Sequence, residues 1–170
     1  MLLLRCTHKV LKLFKHRPRQ VELCAPDTGL GAWYVNLASN GRDEFFIFVN
    51  AKSLYTLLVD ARMVASVGQL VERMLGRLFL HLDDLVSDQR ALEKVANEYR
   101  RALVAKTASR SVLGSMNDLT KHLFWNMDQQ MLETGSVHLR DIEARLNVIP
   151  QRPIGWCLAV ERFAELCSAL

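Results

Sequence analysis

Two runs rich in aromatic and β-branched residues, GAWYVNLAS (31–39) and DEFFIFVN (43–50), flank the dipeptide Asn40-Gly41. Asn-Gly between two such runs is the strongest short-range signal for a β-hairpin, because both residues tolerate the positive φ angles of a type I′ turn. The hairpin commits this part of the chain to a sheet. Leu2 to Cys6 is a short apolar run suited to a further buried strand, and Thr7 has the chemistry of an N-cap for a short helix over 8–15 that buries Val10, Leu11 and Phe14. Residues 16–31 contain Pro18, Pro26, Gly29 and Gly31 and read as a loop. After Asn50, AKSL suits a helical turn, and YTLLVDA reads either as another strand or as part of one helix over 52–61.

From Ser66 the pattern turns helical. Ser66 and Gln69 match a capping box, and Leu70, Met74, Leu78 and Leu82 recur at helical spacing. A second helix is expected over 88–105, burying Leu92, Val95, Ala96, Tyr99 and Leu103 and leaving Glu93, Lys94, Glu98, Arg100 and Arg101 as a solvated face. Gly135 is a natural stop for the next helix, and Ser136 caps a shorter one to about residue 146 with Leu139, Ile142 and Leu146 inside. Pro150 and Pro153 end that helix, and 158–170 forms a last amphipathic one. The expected architecture is α+β in a single domain over 1–170: a small, mainly antiparallel sheet with its hairpin in 1–63, packed against a C-terminal bundle of about five helices in 64–170.

The composition excludes several classes. Half of the 170 residues are hydrophobic and 24% are charged, as in an ordinary globular protein with one substantial core. The net charge of +4 is spread over scattered residues and offset by 18 acids, so nucleic-acid binding is allowed and not indicated. Cys6, Cys24, Cys157 and Cys167 form no CxxC pair, and His8, His16, His81, His122 and His138 lack ligand spacing, so no metal site is expected. No Walker loop, GxGxxG, HExxH or GxSxG is present, and no cofactor is expected. Asp83, Asp84 and Asp88, at a helix junction, read as solvated acids. Only three leucines precede Arg5, too few for a signal peptide, and no run approaches the roughly 18 apolar residues of a membrane span. A cytoplasmic protein without membrane attachment is the expectation.

The stretch 106–128, KTASRSVLGSMNDLTKHLFWNMD, carries the candidate site. On a helical wheel Val112, Leu113, Met116, Leu119, Leu123, Phe124 and Met127 form one apolar stripe. Arg110, Gly114, Asn117 and Lys121 lie opposite, flanked by Ser111, Ser115, Asp118 and His122. Arg110 offers a planar fork for phosphate or carboxylate, Gly114 permits close approach, and Asn117 with Asp118 supplies donors and acceptors. His122 lies one turn from Asp118, the spacing of an oriented general base, with Ser115 within reach. A structural reading is the rival: Ser109 or Ser111 caps the helix, and Arg110, Asn117 and Asp118 tie it to neighbouring loops by buried hydrogen bonds. Trp33, Trp125 and Trp156 suit core or subunit packing better than base stacking, and LRDIEARLNVIP only faintly follows helix-turn-helix spacing.

SRSVLGSMNDL (109–119) resembles the signature segment of a family of small uncharacterised bacterial proteins grouped as a domain of unknown function. The likeness extends to LLRCTHKVLK, to Trp33 with Asn36-Leu37, and to FVNAKSLYTLLV with Asn50 and Tyr55, and so covers most of the chain. The resemblance implies the extent of the domain; it brings no activity, substrate or catalytic residue.

The expected function is a non-enzymatic binding or regulatory protein that presents Arg110, Ser115, Asn117, Asp118 and His122 to a protein partner or an anionic ligand. Homo-oligomerisation stays open, since apolar helix faces serve a core or a dimer contact equally. One alternative is an enzyme acting on a phosphate-containing substrate, with Arg110 as anion clamp and His122 or Asp118 as base; it requires a pocket that brings Trp33, Asn36 or another distant residue to this face. A further alternative is a DNA-binding regulator that uses the C-terminal helices.

Overall fold

The computed structural model describes residues 1–17, 29–86 and 88–170. The expected loop over 16–31, with Pro18, Cys24 and Pro26, lies mostly outside the described residues. Five strands, β1 (Leu2–Cys6), β2 (Trp33–Ser39), β3 (Glu44–Asn50), β4 (Thr56–Asp60) and β5 (Ala102–Lys106), form one sheet in the order β4-β3-β2-β1-β5. The helices are α1 (His8–Leu13), α2 (Val67–Leu85), α3 (Gln89–Glu98), α4 (Arg110–Thr134), α5 (Leu139–Asn147) and α6 (Ala159–Ser168).

The hairpin forms, with β2 and β3 in antiparallel register from Trp33 opposite Asn50 to Ser39 opposite Glu44. Its turn is longer than the two-residue type expected. The Asn40 side chain accepts from the backbone N–H groups of Arg42 (3.0 Å) and Asp43 (2.7 Å), closing a loop over 40–43 in which only Gly41 has a positive φ, +92°. An asparagine that binds the backbone ahead of it removes its own need for the left-handed region. YTLLVDA resolves as a strand, since β4 pairs antiparallel with β3. Fully buried Asn50 organises the turn between them: its side-chain carbonyl accepts from Lys52 N–H, Ser53 N–H and the Ser53 hydroxyl, and its amide donates to Leu30.

The sheet is mixed rather than mainly antiparallel, because β1 runs parallel to both β2 and β5. The expected helix over 88–105 ends at Glu98. ALVAK then pairs with β1 from Leu2 opposite Ala102 to Cys6 opposite Lys106. Helical spacing of Tyr99 and Leu103 is outweighed by the five-residue ladder that β1, almost wholly buried, would otherwise leave unpaired on that side.

The strands are apolar on both faces, as suits a sheet covered on both sides. Phe46, Phe48, Leu57 and Val59 enter one core with Trp33 and residues of α1, α2, α3 and α6. Phe45, Ile47, Val49 and Leu58 enter a second core with α4 and α5. The helices therefore sandwich the sheet instead of forming one bundle against it. Because α5 and α6 bury their apolar faces in different cores, they do not make a helix-turn-helix unit. Among the described residues no helix is long and apolar enough to cross a membrane.

Candidate functional site

Packing fixes the rotation of α4. Ser109 caps it by accepting from Val112 N–H at 3.3 Å, and its own N–H donates to the Tyr34 hydroxyl at 3.0 Å, which anchors the helix start to β2. Val112, Met116, Leu119, Leu123 and Met127 are buried against the sheet, and Gly135 (φ +72°) ends the helix. The opposite face is then bound to meet solvent: Arg110, Gly114, Asn117, Lys121 and His122 are all exposed.

The chain leaving α5 passes along one flank of this face. Residues 149–153 and the α4 side chains Ser111, Ser115, Asp118, Lys121 and His122 enclose a cleft of about 480 Å³. Ser115 is only 7% exposed, and its hydroxyl has no hydrogen-bond partner among the described residues. Asp118 pairs with Lys121 at 2.9 Å, an exposed ion pair three residues apart, and not with His122. Arg152 from the facing segment adds a second cation to the wall. The loop that carries it is closed by the Gln151–Cys157 bridge and presents Trp156, 67% exposed, at φ +63°. That left-handed conformation is uncommon for a bulky residue.

A second polar cluster lies on the other side of α5. Glu143 has no exposed surface, yet it is well satisfied: it accepts from Leu58 N–H (2.6 Å), from the Arg77 guanidinium through Nε and Nη2, and from His81 Nε2 (2.9 Å). The other ring nitrogen of His81 meets the Tyr55 hydroxyl at 2.7 Å. Burial, followed by the Glu143 charge, pushes the Tyr55 phenol well above its ordinary range. One turn beyond Glu143, Asn147 accepts from Thr56 N–H (2.7 Å) and donates to Thr56 C=O (2.9 Å).

The profile of a domain of unknown function, DUF6933, matches residues 3–161 of the chain. The chain belongs to this family. It matches no curated protein. The matched span takes in the residues of both polar clusters.

Of the five residues singled out on α4, the fold brings Ser115, Asp118 and His122 to the cleft, whereas Arg110 and Asn117 stand on the adjoining open face. The distant residues brought to α4 are those of 149–153, not Trp33 or Asn36. Trp33 is buried in the other core, donating to the Tyr99 hydroxyl at 2.8 Å, and the Asn36 side chain is taken by Thr7. The acids at the α2–α3 junction, Asp83, Asp84 and Asp88, are all exposed, as expected of solvated acids; Asp84 pairs with Arg140, and Asp88 caps α3 by accepting from Arg90 N–H. Among the described residues no group of three His, Cys, Asp or Glu side chains is placed to hold a metal ion. Residue spacing alone does not announce the Glu143 cluster. Its signal was present, since Glu143 falls inside the Leu139, Ile142 and Leu146 stripe, where a carboxylate must find partners or stay out of the core.

Proposed function

We propose that the protein is a non-enzymatic binding or regulatory protein whose α4 cleft receives an anionic group of a small ligand or a protein partner. One observation carries this reading: largely buried Ser115, whose hydroxyl has no hydrogen-bond partner among the described residues, lies in a cleft with His122 and Arg152, and Asp118, the one acid among the residues that line it, is paired with Lys121. Arg110, on the neighbouring face, extends the positive field toward the helix start, where unpaired N–H groups add to it. Titration of the full chain with pyrophosphate and with citrate, followed by amide chemical shifts, tests the reading. Saturable shifts centred on residues 111–122 and 149–153, lost in Arg152→Ala, are expected. No response, or one spread evenly over the basic surface, overturns it.

The enzymatic alternative has less support, because Asp118 turns to Lys121 and leaves His122 without an orienting carboxylate. Self-association is part of the proposal. Trp125 and Leu132, seven residues apart on α4 and 61% and 81% exposed, form an apolar ridge suited to the same ridge of a second copy. A cytoplasmic setting agrees with Cys6, Cys157 and Cys167 all being free thiols.

A further inference from the structure

A second cleft, about 460 Å³ in volume and separate from that on α4, opens between α2 and β4. Its lining is mixed: Leu58, Val59, Met63, Leu80 and Leu139 are apolar, and Asp60, Glu72, Arg73 and Arg77 are charged. Met63 and Leu80 are each about half exposed, at 52% and 53%, although both belong to the cleft and could have been covered. Along the α2 side, Arg73 and Arg77 lie one turn apart with Gly76 between them.

Two details make this more than a surface dent. Arg77 is a pre-positioned cation. It directs Nε and Nη2 at fully buried Glu143, while Nη1 has no hydrogen bond among the described residues and the side chain keeps 26% of its surface exposed at the cleft. The guanidinium is thus held rigidly from behind with one edge unspent, the arrangement that lets a planar fork take a second carboxylate without losing side-chain freedom on binding. The second detail is Gly76. A helix interior disfavours glycine relative to alanine, and a Cβ added at Gly76 would meet nothing within 4 Å. No neighbour requires its absence, so the missing side chain leaves space in the cleft itself. The charges at the cleft are matched, with Asp60 held by Arg62 through both carboxylate oxygens, Arg77 by Glu143, and Glu72 set against Arg73, so an incoming acid is recognised by the open guanidinium edge and not by a net positive field.

We propose that this cleft binds a small apolar carboxylate, its hydrocarbon body over Met63, Leu80 and Leu139 and its acid group on the open edge of Arg77 beside Arg73. The occupant is a free monoacid of medium chain length rather than a polyanion, because the lining offers apolar area and Arg77 offers a single open guanidinium edge. The site is independent of the α4 cleft and stands or falls without it.

Calorimetric titration of the full chain with decanoate, below its aggregation concentration, and with decan-1-ol tests the proposal. Decanoate is expected to bind one per chain and at least tenfold more tightly than the alcohol. Gly76→Met, which fills the cleft from an exposed helix position, should weaken decanoate at least tenfold without lowering the melting temperature, and Arg77→Lys, which keeps a charge against Glu143, should erase the preference for acid over alcohol. Equal affinity for the two probes, unsaturable uptake, or unchanged binding in Gly76→Met overturns the proposal. So does a loss in Arg152→Ala as large as that in Gly76→Met, which would move the decanoate to the α4 cleft.

Discussion

Glu143 accepts a hydrogen bond from the Leu58 backbone N–H at 2.6 Å, so that a helix side chain stands where a sixth strand would pair with β4. Asn147 does the same for both backbone groups of Thr56. The match is geometric. Four helical residues advance about 6 Å and two strand residues about 6.6 Å, so side chains at i and i+4 reach alternate backbone positions of an antiparallel edge. An open edge is a template for pairing with other chains, and α5 closes this one.

Removing Glu143 should therefore be costly. Glu143→Ala leaves Arg77 and His81 facing an empty, desolvated site and orphans the Leu58 N–H, and a loss of about 3–5 kcal/mol is expected in urea unfolding. Asn147→Ala should cost about 1–3 kcal/mol. Because both act on one strand edge, the double variant should fall short of the sum. Additive losses would mean the two contacts are uncoupled.

Arg110→Ala and Asn117→Ala should change stability by no more than about 0.5 kcal/mol, since both residues are exposed. Chemical denaturation of each variant checks this. A loss of several kcal/mol would show that the α4 face is a buried hydrogen-bonded tie rather than an open surface.

The contrast between these two predictions marks how far the sequence could be read. The α4 stripe from Val112 to Met127 was legible because a 3.6-residue period over 25 residues repeats often enough to fix which side is buried, and Ser109 and Gly135 mark its ends chemically. The β2–β3 hairpin was legible from Asn40-Gly41 for the same local reason. Strand β5 was not, because ALVAK is stabilised by β1, about a hundred residues away, and nothing beside it in the chain opposes a helix. The cleft was half legible. Ser115, Asp118 and His122 share a helix flank by spacing alone, but that residues 149–153 would lie against that flank depends on how the chain leaves α5.

Gly114 offers a test of why the α4 face is polar and open. A Cβ there would meet nothing within 4 Å, so Gly114→Ala should raise stability by up to about 1 kcal/mol through helix propensity alone. If the glycine serves close approach of a ligand or partner, pyrophosphate or citrate binding should weaken in the same variant. A more stable protein with unchanged binding would leave the glycine without a functional role.

Trp125→Glu should abolish self-association while leaving the fold intact, because the indole is 61% exposed and its replacement is favourable in a helix. Light scattering across a concentration series reads the outcome. Wild-type mass rising toward a dimer, and a monomeric variant at all concentrations, is expected; a wild-type monomer throughout would assign the Trp125 and Leu132 ridge to something other than a second copy.

Two thiols should make the protein progressively less stable in alkali. Burial pushes Cys6 and Cys167 up to about 12, whereas an unfolded cysteine titrates near pH 8.5. The unfolded chain therefore releases these protons first. The contribution to stability is complete below about pH 8.5 and is lost as pH rises toward 12, at a slope of about 1.4 kcal/mol per pH unit for each thiol. Tyr55 and Tyr99, both raised chiefly by burial, add to the decline in the same direction at higher pH. Urea unfolding at steps between pH 8 and 9, below the onset of tyrosine ionisation in the unfolded chain, reads mainly the thiols, and Cys6→Ala with Cys167→Ala should flatten the slope over that range. Thiol labelling with peptide mapping gives an independent reading, since exposed Cys157 should react in the native state while Cys6 and Cys167 wait for unfolding. Native-state labelling of Cys6 or Cys167 at a rate matching Cys157 would mean that the core around β1 and α6 opens far more readily than its burial implies.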